Sequence, residues 1–85
     1  MENHSILEIA ILEMGRMKKG VPFSPSDVVR WIYPQDWRYF MSEVRVAMMN
    51  LYKNGNILLT QKGIPVKYGE EFEEEVQITL IHKTN

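Results

Sequence analysis

The sequence predicts an α/β (α+β) domain in which three helices pack against a small antiparallel sheet. Residues 41–63 are the main evidence, because a helix-periodic segment there passes through a glycine into a short apolar run. The apolar residues of the helical segment recur at steps of three and four, on one helix face: Val44, Ala47, Met48 and Leu51. Two amphipathic segments precede it, and an alternating run follows at residues 76–82. This order is that of a winged helix-turn-helix with three helices and an antiparallel wing sheet, predicted as one domain over residues 1–85.

Length and composition restrict the possible functions. The 85 residues are 45% hydrophobic and 25% charged, an ordinary globular composition for one domain. A domain of this length has a small core with little room for an enclosed substrate cavity. Partners are therefore expected to bind on its outer surface. The absence of cysteine excludes disulfides, a thiolate nucleophile and sulfur ligands for zinc, and it fits a reducing, cytoplasmic location. The apolar run at residues 9–12 is bracketed by glutamates, so no membrane span or signal peptide is predicted.

The first helix is predicted over residues 5–17. Its apolar side is defined by residues at helical spacing: Leu7, Ala10, Ile11, Met14 and Met17. Gly15 weakens the helix near its end. Ile9 and Leu12 project toward the charged side, where an amphipathic helix normally carries polar groups. They are therefore candidates for a self-association surface.

The second helix has a clear start. Ser24 is a good N-cap, Pro25 suits the first helical position, and Asp27 places a carboxylate near the positive end of the helix dipole. Residues 21–23, just before it, form a candidate short strand that closes the sheet. Pro34 ends the helix.

The connection at residues 33–41 is longer than the turn of a simple helix-turn-helix. Its aromatic content predicts a helical turn that packs its rings onto the domain, with Asp36 as the cap. The aromatic residues here are Tyr33, Trp37, Tyr39 and Phe40. The third helix is predicted to begin near Ser42 and to end at Gly55. Residues 57–61 and 76–82 then pair as the wing hairpin, joined by an acidic loop.

Two sets of residues resemble known families. The segment EVRVAMMNLYKNGNI resembles the recognition helix and turn of winged-helix repressors of the gluconate-operon type, where a Val-Arg pair opens a helix that ends in Leu, three residues, Gly and an apolar residue. A larger set is similar to a family of small bacterial proteins catalogued as a domain of unknown function. The residues that carry this second resemblance are Pro25-Ser26-Asp27-Val28, Pro34, Asp36-Trp37-Arg38, Met41, Val44-Arg45, Leu51, Gly55, Ile57, Thr60-Gln61-Lys62-Gly63 and Pro65-Val66. This resemblance implies a winged-helix fold and no established activity.

Charge is distributed unevenly along the chain. Residues 24–68 hold six basic side chains against three acidic ones, whereas residues 69–85 hold five glutamates against one lysine. A third helix with Arg45 in its first turn presents groups that can reach phosphates or a guanine edge in a major groove. The predicted DNA-binding residues are Arg38, Ser42, Arg45, Asn50, Lys53 and Lys62.

Each of these residues also has a structural interpretation. Arg45 can equally pair with a carboxylate of the same molecule as a tie between helices, and Arg38 has the same two interpretations. The candidate partners are Asp27, Asp36 and Glu43. Lys53 also fits a solvated surface charge. The glutamates at residues 70–75 repel a DNA backbone, and the isoelectric point of about 6.1 is lower than that of typical nonspecific binders. Trp31, Trp37, Phe40 and Tyr52 are expected in or beside the core rather than as a base-stacking platform.

No enzymatic activity, cofactor or metal site is predicted. His4 and His82 lie near opposite ends of the chain, without cysteines or clustered carboxylates to complete a metal site or a triad. The glutamate run lacks the alternating spacing and the glycine of a calcium loop. Residues 63–65 are expected to form a turn rather than a phosphate cradle.

We therefore expect a cytoplasmic, DNA-binding winged-helix protein that acts as a transcriptional regulator on double-stranded DNA. A homodimer is expected because one small domain offers few phosphate contacts. The alternative is a protein–protein interaction module that docks a partner chain or a second copy. It uses the acidic wing and exposed apolar helix residues, namely Ile9, Leu12, Val46 and Met49.

Overall fold

The computed structural model describes residues 4–67 and 76–81. The described elements are α1 (Ile6–Lys18), α2 (Pro25–Ile32), a 3₁₀ turn (Trp37–Phe40), α3 (Met41–Lys53), β1 (Ile57–Gln61), β2 (Ile64–Pro65) and β3 (Gln77–Leu80). Three α-helices with a three-stranded antiparallel sheet confirm the predicted α+β class, and the arrangement is compatible with a winged helix. The acidic loop at residues 70–75 and His82 lie outside the described residues.

The helix ends follow from their capping residues. Ser24 and Asp27 form a reciprocal capping box at the start of α2, with Pro25 as the first helical residue, as predicted. At the end of α3 the N–H of Gly55 donates to Tyr52 O and the N–H of Asn56 donates to Leu51 O, at 3.0 and 2.9 Å. These two bonds define a Schellman motif, and Gly55 supplies its left-handed residue at φ 78°.

The central strand of the sheet is β1. It pairs with β3 from Ile57 opposite Leu80 to Thr60 opposite Gln77, and with β2 on its other edge. The sequence-based turn at residues 63–65 was misplaced by one residue. Lys62 and Gly63 form the two-residue turn, with φ of 53° and 79°, which match a type I′ hairpin, and the next two residues are β2. Of residues 21–23 only Phe23 reaches the sheet, through a bridge to Ile78.

The core lies between the helices and one face of the sheet. Its fully buried side chains come from all three α-helices and from β1 and β3: Ile11, Val28, Val29, Val44, Met48, Leu51, Ile57, Leu59 and Ile78. Gly15 is part of this packing. A Cβ added there would lie 2.7 Å from Leu80 Cβ, so the glycine allows α1 to approach β3 closely.

Several predicted environments were wrong in detail. Leu12 is half-buried and packs against the core rather than facing solvent. Trp31 is 46% exposed and Tyr39 is 84% exposed, so neither belongs to the core. Asp36 occupies the cap position of the 3₁₀ turn but makes no side-chain capping hydrogen bond. The expected ring packing is made by Tyr33 and Phe40, which stack with centroids 3.8 Å apart.

Candidate nucleic-acid interface

The third helix presents one face to the core and the opposite face to solvent. Its buried residues are the four that the periodicity predicted: Val44, Ala47, Met48 and Leu51. At about 100° per residue, the line opposite this face is formed by Ser42, Val46, Met49 and Lys53. Ser42, Val46 and Lys53 are exposed and Met49 is half-buried. The outward line is therefore polar at both ends and apolar in the middle.

Arg45 lies one turn into α3, at the border of the outward face. Its side chain is exposed. Among the described residues its guanidinium makes no salt bridge or hydrogen bond. Asp27 is instead occupied by the capping box of α2. The intramolecular tie that the sequence left open for Arg45 is thus not formed with Asp27, Asp36 or Glu43.

Arg38 belongs to a cluster at the start of α3 that the sequence did not reveal. Its Cζ lies 5.1 Å from the centroid of the Trp37 ring, and Arg30 Cζ lies 4.2 Å from the same centroid. Trp37 is itself half-buried and packs against the core. Cation–π contacts of this kind hold guanidinium groups in place without neutralising them. Two ordered positive charges therefore stand just before the amino-terminal end of α3.

The contribution of Arg30 had no sequence signal, because it depends on the tertiary path of the chain. Arg30 is in the last turn of α2, where a cation is explained by the helix dipole alone. The turn after Pro34 brings Trp37 back against it. We name Arg30, Trp37 and Arg38 the Arg–Trp–Arg cluster.

Asn50 lies on a different side of α3 from Arg45. Five residues separate them, which corresponds to about 140° around the helix. Asn50 takes part in the hydrogen bonding of Glu8 on α1. Asn50 is exposed and lies on the opposite border of the outward face from Arg45, each about 70° from the outward line.

Glu8 is a buried carboxylate at the start of α1. Burial disfavours its charged form, but hydrogen bonds from His4, Asn50 and Ser5, with the charge of His4, outweigh that effect and lower the pKa of Glu8. His4 Nδ1 lies 2.9 Å from one carboxylate oxygen, and Ser5 Oγ donates to the other at 3.3 Å. Glu8 is thus an ionised group within the fold.

Lys62 lies at the tip of the β1–β2 hairpin, exposed and in the left-handed region. The tight turn fixes its backbone conformation. Lys67, two residues after β2, is also exposed. The predicted DNA-binding set therefore occupies the 3₁₀ turn, α3 and the β1–β2 turn.

Among the described residues, no three His, Cys, Asp or Glu side chains are grouped so that they could hold a metal ion. None of the described helices is long and apolar enough to cross a membrane.

Comparison with known proteins assigns the chain to a family. The family described as "Protein of unknown function (DUF3253)" matches residues 4–78, which is most of the chain. No curated protein matches this chain significantly. The family match agrees with the resemblance to a domain of unknown function, and the chain belongs to the DUF3253 family.

Proposed function

We propose that this DUF3253 protein binds double-stranded DNA as a winged helix, with α3 in the major groove, and that it acts as a cytoplasmic transcriptional regulator. The observation that carries the proposal is Arg45. It stands exposed one turn into α3 and has no salt-bridge partner among the described residues. An arginine in that position can donate two hydrogen bonds to a guanine edge.

The Arg–Trp–Arg cluster supports the proposal from the start of the helix. Arg30 and Arg38 are held by the Trp37 ring, at 4.2 and 5.1 Å. Positive groups that are already ordered lose little side-chain entropy when they contact a phosphate. The cluster is assigned to the DNA backbone beside the groove that α3 enters, where it sets the position of the helix.

The outward line of α3 supplies the remaining contacts. Ser42 and Lys53 lie at its two ends, and Lys62 contacts phosphate from the wing. The apolar middle of the line, Val46 and Met49, suits the methyl groups of thymine. The proposal therefore includes a site with guanine under Arg45 and A·T pairs under the centre of the helix.

The test is binding of random-sequence duplex DNA at low salt, measured by fluorescence anisotropy. We expect the protein to bind the duplex at tens of micromolar concentration. Replacing Arg38 and Arg45 together by alanine should abolish this binding. Far-UV circular dichroism of the double variant checks that it is folded. No retention of duplex by the unchanged protein ends the proposal.

Protein–protein interaction is the second candidate function. It is favoured by exposed apolar side chains on α1 and α3, among them Ile9 at 50% and Val46 at 63%. A partner that recognises the acidic wing should be lost when Glu70, Glu71, Glu73 and Glu74 are reversed to lysine. Unchanged binding after that reversal counts against the wing as the docking element.

A further inference from the structure

An uncovered apolar surface lies at the amino-terminal half of α1 and extends onto the neighbouring helices. Its side chains are 64% exposed at Ile6, 50% at Ile9, 46% at Trp31 and 63% at Val46. Ile6 lines two neighbouring clefts, of about 420 and 230 Å³. We call the surface formed by Ile6, Ile9, Trp31 and Val46 the α1 face. Monomers rarely leave so many large apolar side chains together in water unless the patch binds something.

The charged groups that line the two clefts are all carboxylates. Glu8 and Glu43 line the larger cleft, and Glu13 lines the smaller one. Glu8 is hydrogen-bonded to His4 and Glu13 pairs with Arg16 of its own helix, so among the described residues Glu43 is the rim carboxylate with no intramolecular partner. Glu8 stays ionised because its hydrogen bonds offset its burial. An occupant that complements this surface carries basic groups beside apolar ones. A long basic side chain fits the larger cleft, with its stem against Ile6 and its head at the carboxylates.

This chain itself carries such a segment at the other end of α1. Its last turn and the residue that follows expose three basic side chains, Arg16, Lys18 and Lys19, next to Met17 at 58% exposure. Arg16 also pairs with Glu13 of its own helix at the exposed surface, where such a pair exchanges readily for one with a partner copy. The same helix therefore has an apolar and acidic beginning and a basic end. Two such helices side by side in opposite directions place each basic end near the acidic rim of the other. The dipoles of two antiparallel helices also attract each other, which favours this antiparallel arrangement.

We propose that the α1 face is a two-fold interface at which a second copy of this chain docks, with the two α1 helices antiparallel. An isologous contact needs a surface that complements itself, and the charge gradient along α1 meets that condition. A standard interface buries about a tenth of a small protein's surface. The solvent-accessible surface of the chain is 6078 Å². An interface of this kind therefore has to bury about 600 Å² on each copy. A helix of 13 residues, roughly 20 Å long, with its flanking side chains can supply it. The inference does not depend on DNA binding.

The experiment measures mass by light scattering across a concentration series of the full chain. We expect a dimer at tens of micromolar that dissociates on dilution. Ile6→Glu and Ile9→Glu should each raise the dissociation constant roughly 30-fold or more, since each buries a carboxylate in an apolar contact already rimmed by glutamates. The matched control is Ile64→Glu on β2, where the isoleucine is 69% exposed but lies outside the α1 face. It should remain dimeric.

A charge-reversal pair identifies the occupant as a second copy. Arg16→Glu and Glu43→Lys each weaken self-association when alone, because both contacts of each homodimer then face like charges. An equimolar mixture of the two should recover dimer mass, because both contacts of the mixed dimer pair opposite charges. Far-UV circular dichroism confirms that every variant is folded. A monomeric mass for the unchanged protein throughout the series overturns the proposal. So does a dimer that neither Ile6→Glu nor Ile9→Glu weakens, because the contact then lies elsewhere. A mixture without recovery overturns the antiparallel arrangement.

Discussion

At the scale of single residues, Arg45 has the clearest consequence for DNA recognition. Its guanidinium offers two parallel donors to a guanine edge, whereas a lysine ammonium offers a point charge. Arg45→Lys should therefore keep nonspecific retention of duplex while reducing the preference for a selected site by about 1–3 kcal/mol, and Arg45→Ala should reduce both. Anisotropy titrations with selected and scrambled duplexes measure the two effects separately. Equal loss on both duplexes with Arg45→Lys would show that Arg45 contacts only the backbone.

Glu8 predicts how stability depends on pH. Its pKa is lowered by the fold, so its ionised form contributes stability above the ordinary glutamate value of 4.5, and that contribution is lost as the pH falls through the lowered pKa. The free energy of unfolding should therefore fall below about pH 5, and Glu8→Gln should flatten this fall and cost roughly 1 kcal/mol at neutral pH. Urea titrations between pH 7 and the acid limit of folding measure both. Glu13→Gln is the control, because it removes only an exposed salt bridge to Arg16.

How far single residues were predictable depended on whether their environment is local. Ser24 and Asp27 cap α2 as their spacing predicts, because both partners lie within three residues. The aromatic side chains were predicted less well, since burial of a ring is decided by distant elements. Trp37 packs on the core as expected, whereas Trp31 and Tyr39 face solvent. The contribution of Asn50 to the lowered pKa of Glu8 depends on two different helices and left no signal in the sequence.

At the scale of elements, Gly15 joins α1 to the sheet. Gly15→Ala gains about 1 kcal/mol of helix propensity, but the new Cβ would lie 2.7 Å from Leu80 Cβ. Because the opposing atom is a Cβ and not a flexible chain end, the backbones must separate, and we expect a net loss of roughly 1–3 kcal/mol. Thermal unfolding followed by circular dichroism measures the change. Arg16→Ala, at the exposed neighbouring position, should change stability by less than about 1 kcal/mol, and a stabilised Gly15→Ala would show that α1 can move away from β3.

The β1–β2 turn couples stability to binding. Lys62 adopts φ 53°, which asparagine tolerates better than lysine, and Asn-Gly is the favoured pair for a type I′ turn. Lys62→Asn should therefore raise the free energy of unfolding by up to about 1 kcal/mol while it weakens DNA binding by one phosphate contact. Lys62→Arg keeps the charge without the turn preference, so it should retain binding and leave stability unchanged. A stabilised Lys62→Asn with full DNA affinity would remove Lys62 from the interface.

The elements were predicted where a local periodicity or cap defines them. The periods of α1 and α3 and the glycine stop at Gly55 set those helices to within a residue or two, and the apolar run set β1. The strand β2 was missed because two residues are too few to show an alternation, and the turn before it needs a lysine at positive φ. Gly15 was interpreted from the sequence as a weak point of α1. Its packing role was missed because Leu80, the residue that approaches it, lies on β3.

At the scale of the whole molecule, the proposed phosphate contacts are four cations from different parts of the fold. Arg30 and Arg38 flank the start of α3, Lys53 lies at its end, and Lys62 lies at the hairpin tip. If all four contact phosphates, the logarithm of affinity should fall with the logarithm of salt at a slope of about −3.6 for one copy. A site that engages both copies of a dimer doubles the contacts and brings the slope to about −7.

This difference connects the proposed DNA surface to the α1 face. Between 50 and 200 mM salt, we expect affinity for a long duplex to fall by about 10⁴-fold for a dimer and about 100-fold for a monomer. Ile9→Glu leaves every proposed phosphate contact intact, so it should convert the steep dependence to the shallow one while retaining binding. Anisotropy titrations at several salt concentrations, with Ile64→Glu as the control, measure the slopes. A shallow slope for the unchanged protein means that one α3 engages DNA at a time, and a slope near zero excludes phosphate contacts by α3 and the wing.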